Sequence, residues 1–198
     1  MNLTTDPSRQ PRAASQGRSI ELGGYSLTLD RGRVAVIDWP DAAALAAQLA
    51  ALCQHQTPVV RYAAGTLIDD LSLQDNLMLE ASLHDGRLPM QLLPEIEALF
   101  EFTDCPIFQS VWAGTWPGAA TRQALMQVRV GRALMADPDV LLMDATHWDD
   151  GLLHPYSFSQ RFVTQFPWRT LVWATHDVAR AASLREELEE FVQELTPQ

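Results

Sequence analysis

The chain has 198 residues, enough for one domain with a sizeable core or a domain plus a small appendage. Its net charge of −11 sets it against nucleic acid, whose phosphates such a surface repels. All 14 basic side chains are Arg, so any mechanism that needs a lysine, such as a phosphate-loop lysine or a Schiff base, is excluded.

Residues 1–18 are polar and rich in Pro, Ser, Gln and Arg, and read as a disordered tail before a domain spanning 19–198. Apolar and polar residues alternate in Ser19-Ile20-Glu21-Leu22 and in Tyr25-Ser26-Leu27-Thr28-Leu29, which predicts two strands turning at Gly23-Gly24. Asp30-Arg31-Gly32 is a second turn, and Val34-Ala35-Val36-Ile37 is an unbroken apolar run of the kind a buried parallel strand shows. Asp41 is the expected N-cap of a helix reaching Leu52, with Leu45, Leu49 and Leu52 on one face. Val59-Val60-Arg61-Tyr62 is another strand. From Ser72 to about Phe102 the chain reads mainly helical, broken around Gly86 and Pro89, and residues 72–118 are expected to form a small helical subdomain. A long helix is expected over Ala119–Met135, ended by Asp137-Pro138-Asp139. Val140-Leu141-Leu142-Met143 and Thr170-Leu171-Val172-Trp173-Ala174 are further buried strands. The last predicted helix, Val178–Leu195, has an acidic face at Glu186, Glu187, Glu189, Glu190 and Glu194 that reads as solvated. Strands alternating with helices predict an α/β fold: a mostly parallel sheet flanked by helices, with an antiparallel β edge.

Four segments carry a family resemblance. Leu27 to Ile37 fits the lead-in to a phosphate-binding loop. Leu67-Ile68-Asp69-Asp70-Leu71-Ser72-Leu73-Gln74-Asp75-Asn76-Leu77 is an acidic-apolar run entering a helix. Gly131-Arg132-Ala133-Leu134 leads to Asp137-Pro138-Asp139-Val140-Leu141-Leu142-Met143-Asp144, and Leu171-Val172-Trp173-Ala174-Thr175-His176-Asp177 follows. In this order they resemble the Walker A lead-in, the stretch after the Q-loop, the helix running into Walker B, and the switch-histidine strand of ABC-transporter nucleotide-binding domains. The resemblance spans about residues 19–184 and implies a P-loop-NTPase-like fold. Around residues 67–100 it looks closest to the lipid-trafficking Mce/Mla branch.

The chemistry of that family is not matched. An ABC ATPase cradles phosphates on the backbone amides of a glycine-rich loop, with a Lys on the β- and γ-phosphates and a Ser/Thr on Mg²⁺. After Val34–Ile37 this chain reads Asp38-Trp39-Pro40-Asp41-Ala42, with no glycine, no Lys and no Ser/Thr. Pro40 lacks an N–H to donate. Asp38 and Asp41 put negative charge where phosphates would lie, a repulsion on the order of kilocalories per mole each at an effective dielectric of ~20. The resemblance places the Q-loop glutamine at Ala63 or Ala64. Asp144 stands at the Walker B aspartate, but Ala145 replaces the catalytic glutamate, a loss of about 10²–10⁴ in rate where a general base is removed. Trp116-Pro117-Gly118-Ala119 best fits the signature motif, retaining one glycine and no serine; an ungapped register sets Ala120–Ala124 there instead. His176 stands at the switch histidine, with no γ-phosphate to contact, and reads as a relic or a structural histidine.

Other constellations are weaker. His147, His154 and His176 with Asp144, Asp149 and Asp150 match no metal-ligand spacing, so no metal and no cofactor are expected. Trp39, Trp112, Trp116, Trp148, Trp168 and Trp173 include candidate interface anchors, Trp39 because it stands where the phosphate loop would be; filling the emptied pocket is the alternative. Cys53 and Cys105 form no CxxC pattern and fit a reducing cytoplasm. No apolar run approaches the ~18–20 residues of a membrane helix, and no secretion signal opens the chain.

The expectation is therefore a catalytically inactive subunit, cytoplasmic and reaching the inner membrane only through partners. Those partners would be an active ABC ATPase subunit, a membrane permease or both, and the Mce/Mla resemblance implies lipid transport as the process. A nucleotide-binding regulator or weak ATPase with an atypical site using Asp144, and a stand-alone interaction module, are the competing readings.

Overall fold

The computed structural model describes residues 18–22, 25–54, 60–63, 66–83, 88–100, 114–146, 148 and 153–193. The predicted tail over residues 1–17, the Gly23-Gly24 turn and the break at Gly86 lie outside the described residues.

Strands β1 (Arg18–Leu22) and β2 (Tyr25–Leu29) pair antiparallel, with Ile20 opposite Leu27. Gly32 then turns the chain with φ +67°, and a Cβ there would lie 2.8 Å from the Pro167 carbonyl oxygen, so both backbone conformation and space call for glycine. The turn delivers β3 (Val34–Asp38), followed by α1 (Ala42–Gln54) and β4 (Val60–Tyr62). Helices α2 (Leu73–Leu83), α3 (Leu88–Phe100) and α4 (Arg122–Met135) come next, then β5 (Val140–Asp144), α5 (Pro155–Gln165), β6 (Thr170–Thr175) and α6 (Val178–Glu187). Strands β3, β6, β5 and β4 form one parallel sheet in that spatial order, the expected α/β architecture with its antiparallel edge.

Side chains alternate across a strand, so this sheet carries two cores. Val34, Val36, Leu141, Met143, Leu171 and Trp173 face a core built with α2 to α6. Ala35, Ile37, Val140, Leu142, Val172 and Ala174 face the other, closed by Leu45 and Leu49 of α1 and by Ile20, Leu27 and Leu29 of the antiparallel pair. Burial on both faces explains the unbroken apolar runs of β3, β5 and β6. In the first core Trp173 donates its indole N–H to Ser159 Oγ at 3.0 Å and stacks edge-on against Trp148 and Phe158.

Three boundaries differ from expectation. The long helix starts at Arg122 rather than Ala119, because Pro117–Ala119 form a 3₁₀ turn and Thr121 caps α4, its Oγ1 accepting the Ala124 amide at 3.2 Å. Pro89 does not break a helix: it lies in the first turn of α3, where a missing N–H has no ladder partner to lose. The last helix stops at Glu187 rather than Leu195. The chain turns, and Val192 forms a parallel bridge with Val34 at the edge of the sheet.

Candidate functional site

Strands β3, β5 and β6 end side by side, with Asp38 in register with Thr175 and Asp144 with Ala174. In a parallel sheet ligands sit beyond the carboxyl ends of the strands, so this rim is the place to look for a site.

Only Trp39, Pro40 and Asp41 separate β3 from α1. The Trp39 amide donates to the Thr175 carbonyl at 2.7 Å, which extends the ladder, and its side chain is 3% exposed within the core beneath α1. Trp39 thus fills the interior rather than standing out as an anchor. Pro40 is exposed. Asp41 caps α1: its Oδ1 accepts the Ala44 amide at 2.8 Å, so the helix end that would face a phosphate holds a carboxylate of its own chain. Asp38 is tied elsewhere. Its Oδ1 accepts from Arg185 Nη2 at 2.6 Å, and that hydrogen bond, reinforced by the guanidinium charge against the opposing effect of burial, holds its pKa below the ordinary 3.8.

At the end of β5, Asp144 Oδ1 accepts the Thr146 amide at 2.9 Å, and Ala145 is buried, its amide donating to the Ala174 carbonyl at 2.8 Å. Thr146 Oγ1 lies 3.1 Å from Thr175 Oγ1 and 3.3 Å from His176 Nδ1, and Thr175 Oγ1 accepts the Asp177 amide at 3.1 Å. His176 is therefore joined to a hydroxyl network of its own chain. The geometry brings Asp38, Asp144, Ala145 and His176 to one rim. Among the described residues no three His, Cys, Asp or Glu side chains gather as a metal site; His147, Asp149 and Asp150 lie outside them.

Trp116, Pro117, Gly118 and Ala119 form the turn ahead of α4, with Trp116 51% exposed and Pro117 buried. The alternative register, Ala120–Ala124, falls on the Thr121 cap and the first turn of α4. Ala63 continues the β4–β5 ladder, its amide donating to the Leu142 carbonyl at 2.8 Å; Ala64 lies outside the described residues. Trp168 is also exposed, whereas Trp148 and Trp173 serve the core; Trp112 lies outside the described residues.

Sequence reading missed three polar side chains. Arg185, 147 positions from Asp38, supplies the counter-charge of the rim. Asn76 is fully buried: its Oδ1 accepts the Ile68 amide and its Nδ2 donates to the carbonyls of Ile68, Leu71 and Ser72. Arg169 is fully buried and paired with Asp137. An Asn on the apolar side of α2 was a readable signal for the second; the other two pairings join distant segments.

Among the described residues, no helix is long and apolar enough to cross a membrane. No protein-family model matches the chain, and no curated protein matches it in sequence. Solved structures do. An ATP-binding subunit of an ABC transporter is similar at 16% identity and TM-score 0.56, over 81% of this chain and 75% of that one. A dimeric, post-hydrolysis ATP-binding cassette bound to ADP and Pi is similar at 15% identity and TM-score 0.55, over 79% of this chain and 80% of the other. A nucleotide-free ATP-binding cassette from an ABC transporter matches at 15% identity and TM-score 0.56, over 81% and 77%. At such identities the likeness establishes the fold.

Proposed function

We propose that this chain is a catalytically inactive ABC-type nucleotide-binding-domain-like subunit that acts as a structural or regulatory partner in a membrane transport complex. The observation that carries the reading is the β3–α1 junction. A phosphate loop needs a run of free amides, glycines that let the backbone approach, and a lysine. Here three residues make the connection, one of them proline, and the Asp41 carboxylate takes up a helix-terminal amide. No ammonium side chain exists anywhere in the chain to replace the missing charge. Ala145 removes the general base beside Asp144, and Ala has no proton to exchange.

The ATP-binding cassette bound to ADP and Pi is dimeric, and the other two similar structures are transporter components by their descriptions. A heterodimer of this chain with an intact ATPase would contain one site closed at Trp39–Asp41. Its other site would use the Trp116–Ala119 turn, which has no serine to offer a nucleotide. Both sites favour a scaffolding or regulatory role beside an active ATPase or a permease, at the cytoplasmic face of the inner membrane through those partners. The resemblance of residues 67–100 to the Mce/Mla branch supports lipid as the cargo class.

Calorimetric titration of the purified chain with Mg-ATP tests the core of this reading. No heat of binding is expected, whereas a micromolar dissociation constant lost in Asp144→Ala would establish the nucleotide-binding alternative. Affinity purification of the tagged chain from its own cells tests the partnership: a permease and an intact ATPase should come down with it. Recovery of the chain without either would favour a stand-alone module.

A further inference from the structure

We draw no further inference here: the strongest candidate, the exposed Ile68 and Trp116 on the two loops joined by the Leu73 amide and the Thr115 carbonyl at the start of α2, is an unpartnered apolar surface, and nothing in the structure shows what covers it.

Discussion

One guanidinium, that of Arg185 in α6, binds both the carboxylate of Asp38 at 2.6 Å and the carbonyl of Val36 at 3.2 Å, fastening α6 to the end of β3. Asp38 therefore has a folded-state pKa below its ordinary value of 3.8. A carboxyl whose pKa is depressed by folding contributes stability above its unfolded value and loses it as pH falls through the folded value. Both side chains are more than two-fifths exposed, so screening keeps the contribution under about 1 kcal/mol. Asp38→Asn should lower stability by that amount at neutral pH in urea melts. The difference should close at acid pH, once the pH lies below the lowered folded-state pKa and the wild-type carboxyl is also protonated. A gap of equal size at both pH values would show that the ion pair is not its cause.

Gly131, first residue of the Gly-Arg-Ala-Leu run, is buried where α4 meets α2 and α3. A Cβ built there would lie 2.6 Å from Leu77 Cδ1 and 3.6 Å from Ile96 Cγ2. Helix propensity favours alanine over glycine by about 1 kcal/mol, but overpacking a filled core costs about 1–3 kcal/mol. Leu77 is fully buried and has little room to swing away, so the steric term wins. Gly131→Ala should destabilise by about 1 kcal/mol net. Leu77→Val removes the offending methyl, so Gly131→Ala should cost less in that background. Thermal denaturation of the four chains checks it, and an equal cost in both backgrounds would refute the clash.

Asn76 closes the loop that enters α2. Its carbonyl oxygen takes the Ile68 amide at 2.8 Å, and its amide nitrogen serves the carbonyls of Ile68, Leu71 and Ser72 at 2.9, 3.1 and 3.0 Å. With the side chain buried, Asn76→Ala leaves those groups short of partners at a cost of about 2–3 kcal/mol. Asn76→Asp keeps the acceptor but turns the donors into a buried charge, so it should cost more than Asn76→Ala. Chemical denaturation orders the two variants, and the reverse order would mean that the Nδ2 bonds contribute little.

The buried strands were legible because burial on both faces leaves a local mark, an apolar run such as Val140–Met143 or Val34–Ile37. The Asp41 cap was equally legible, since a cap acts over three residues. The C-terminal helix was read too long for a physical reason. Leu184, Leu188 and Phe191 follow helical spacing, yet Val192 is claimed by the backbone of Val34, a partner far away in sequence. The missing glycines and lysine of the phosphate loop are visible in sequence. That Trp39 turns inward to line a core and that Arg185 balances Asp38 are not, because both depend on which strands lie side by side.

Arg169 places a guanidinium where water does not reach. It is fully buried, stands 4.9 Å over the Phe166 ring and pairs with Asp137, the one non-glycine residue with positive φ among those described. Burial pushes its pKa down to about 10 against the pull of Asp137 and then Glu95, so the group remains charged at neutral pH. Its Nε and Nη1 find no hydrogen-bond partner among the described residues, which leaves Asp137 as the chief compensation for a costly charge. Asp137→Asn keeps a residue that tolerates positive φ and removes only the counter-charge, so it should destabilise by about 2–3 kcal/mol. Arg169→Met keeps most of the volume and removes the charge itself; it should stay within about 1 kcal/mol of the wild type. In the Arg169→Met background, Asp137→Asn should then cost no more than about 0.5 kcal/mol, because no stranded cation remains to be compensated. Urea denaturation of the four chains gives the coupling directly. If Asp137→Asn costs the same with and without the guanidinium, Asp137 serves the turn after α4 rather than the buried charge.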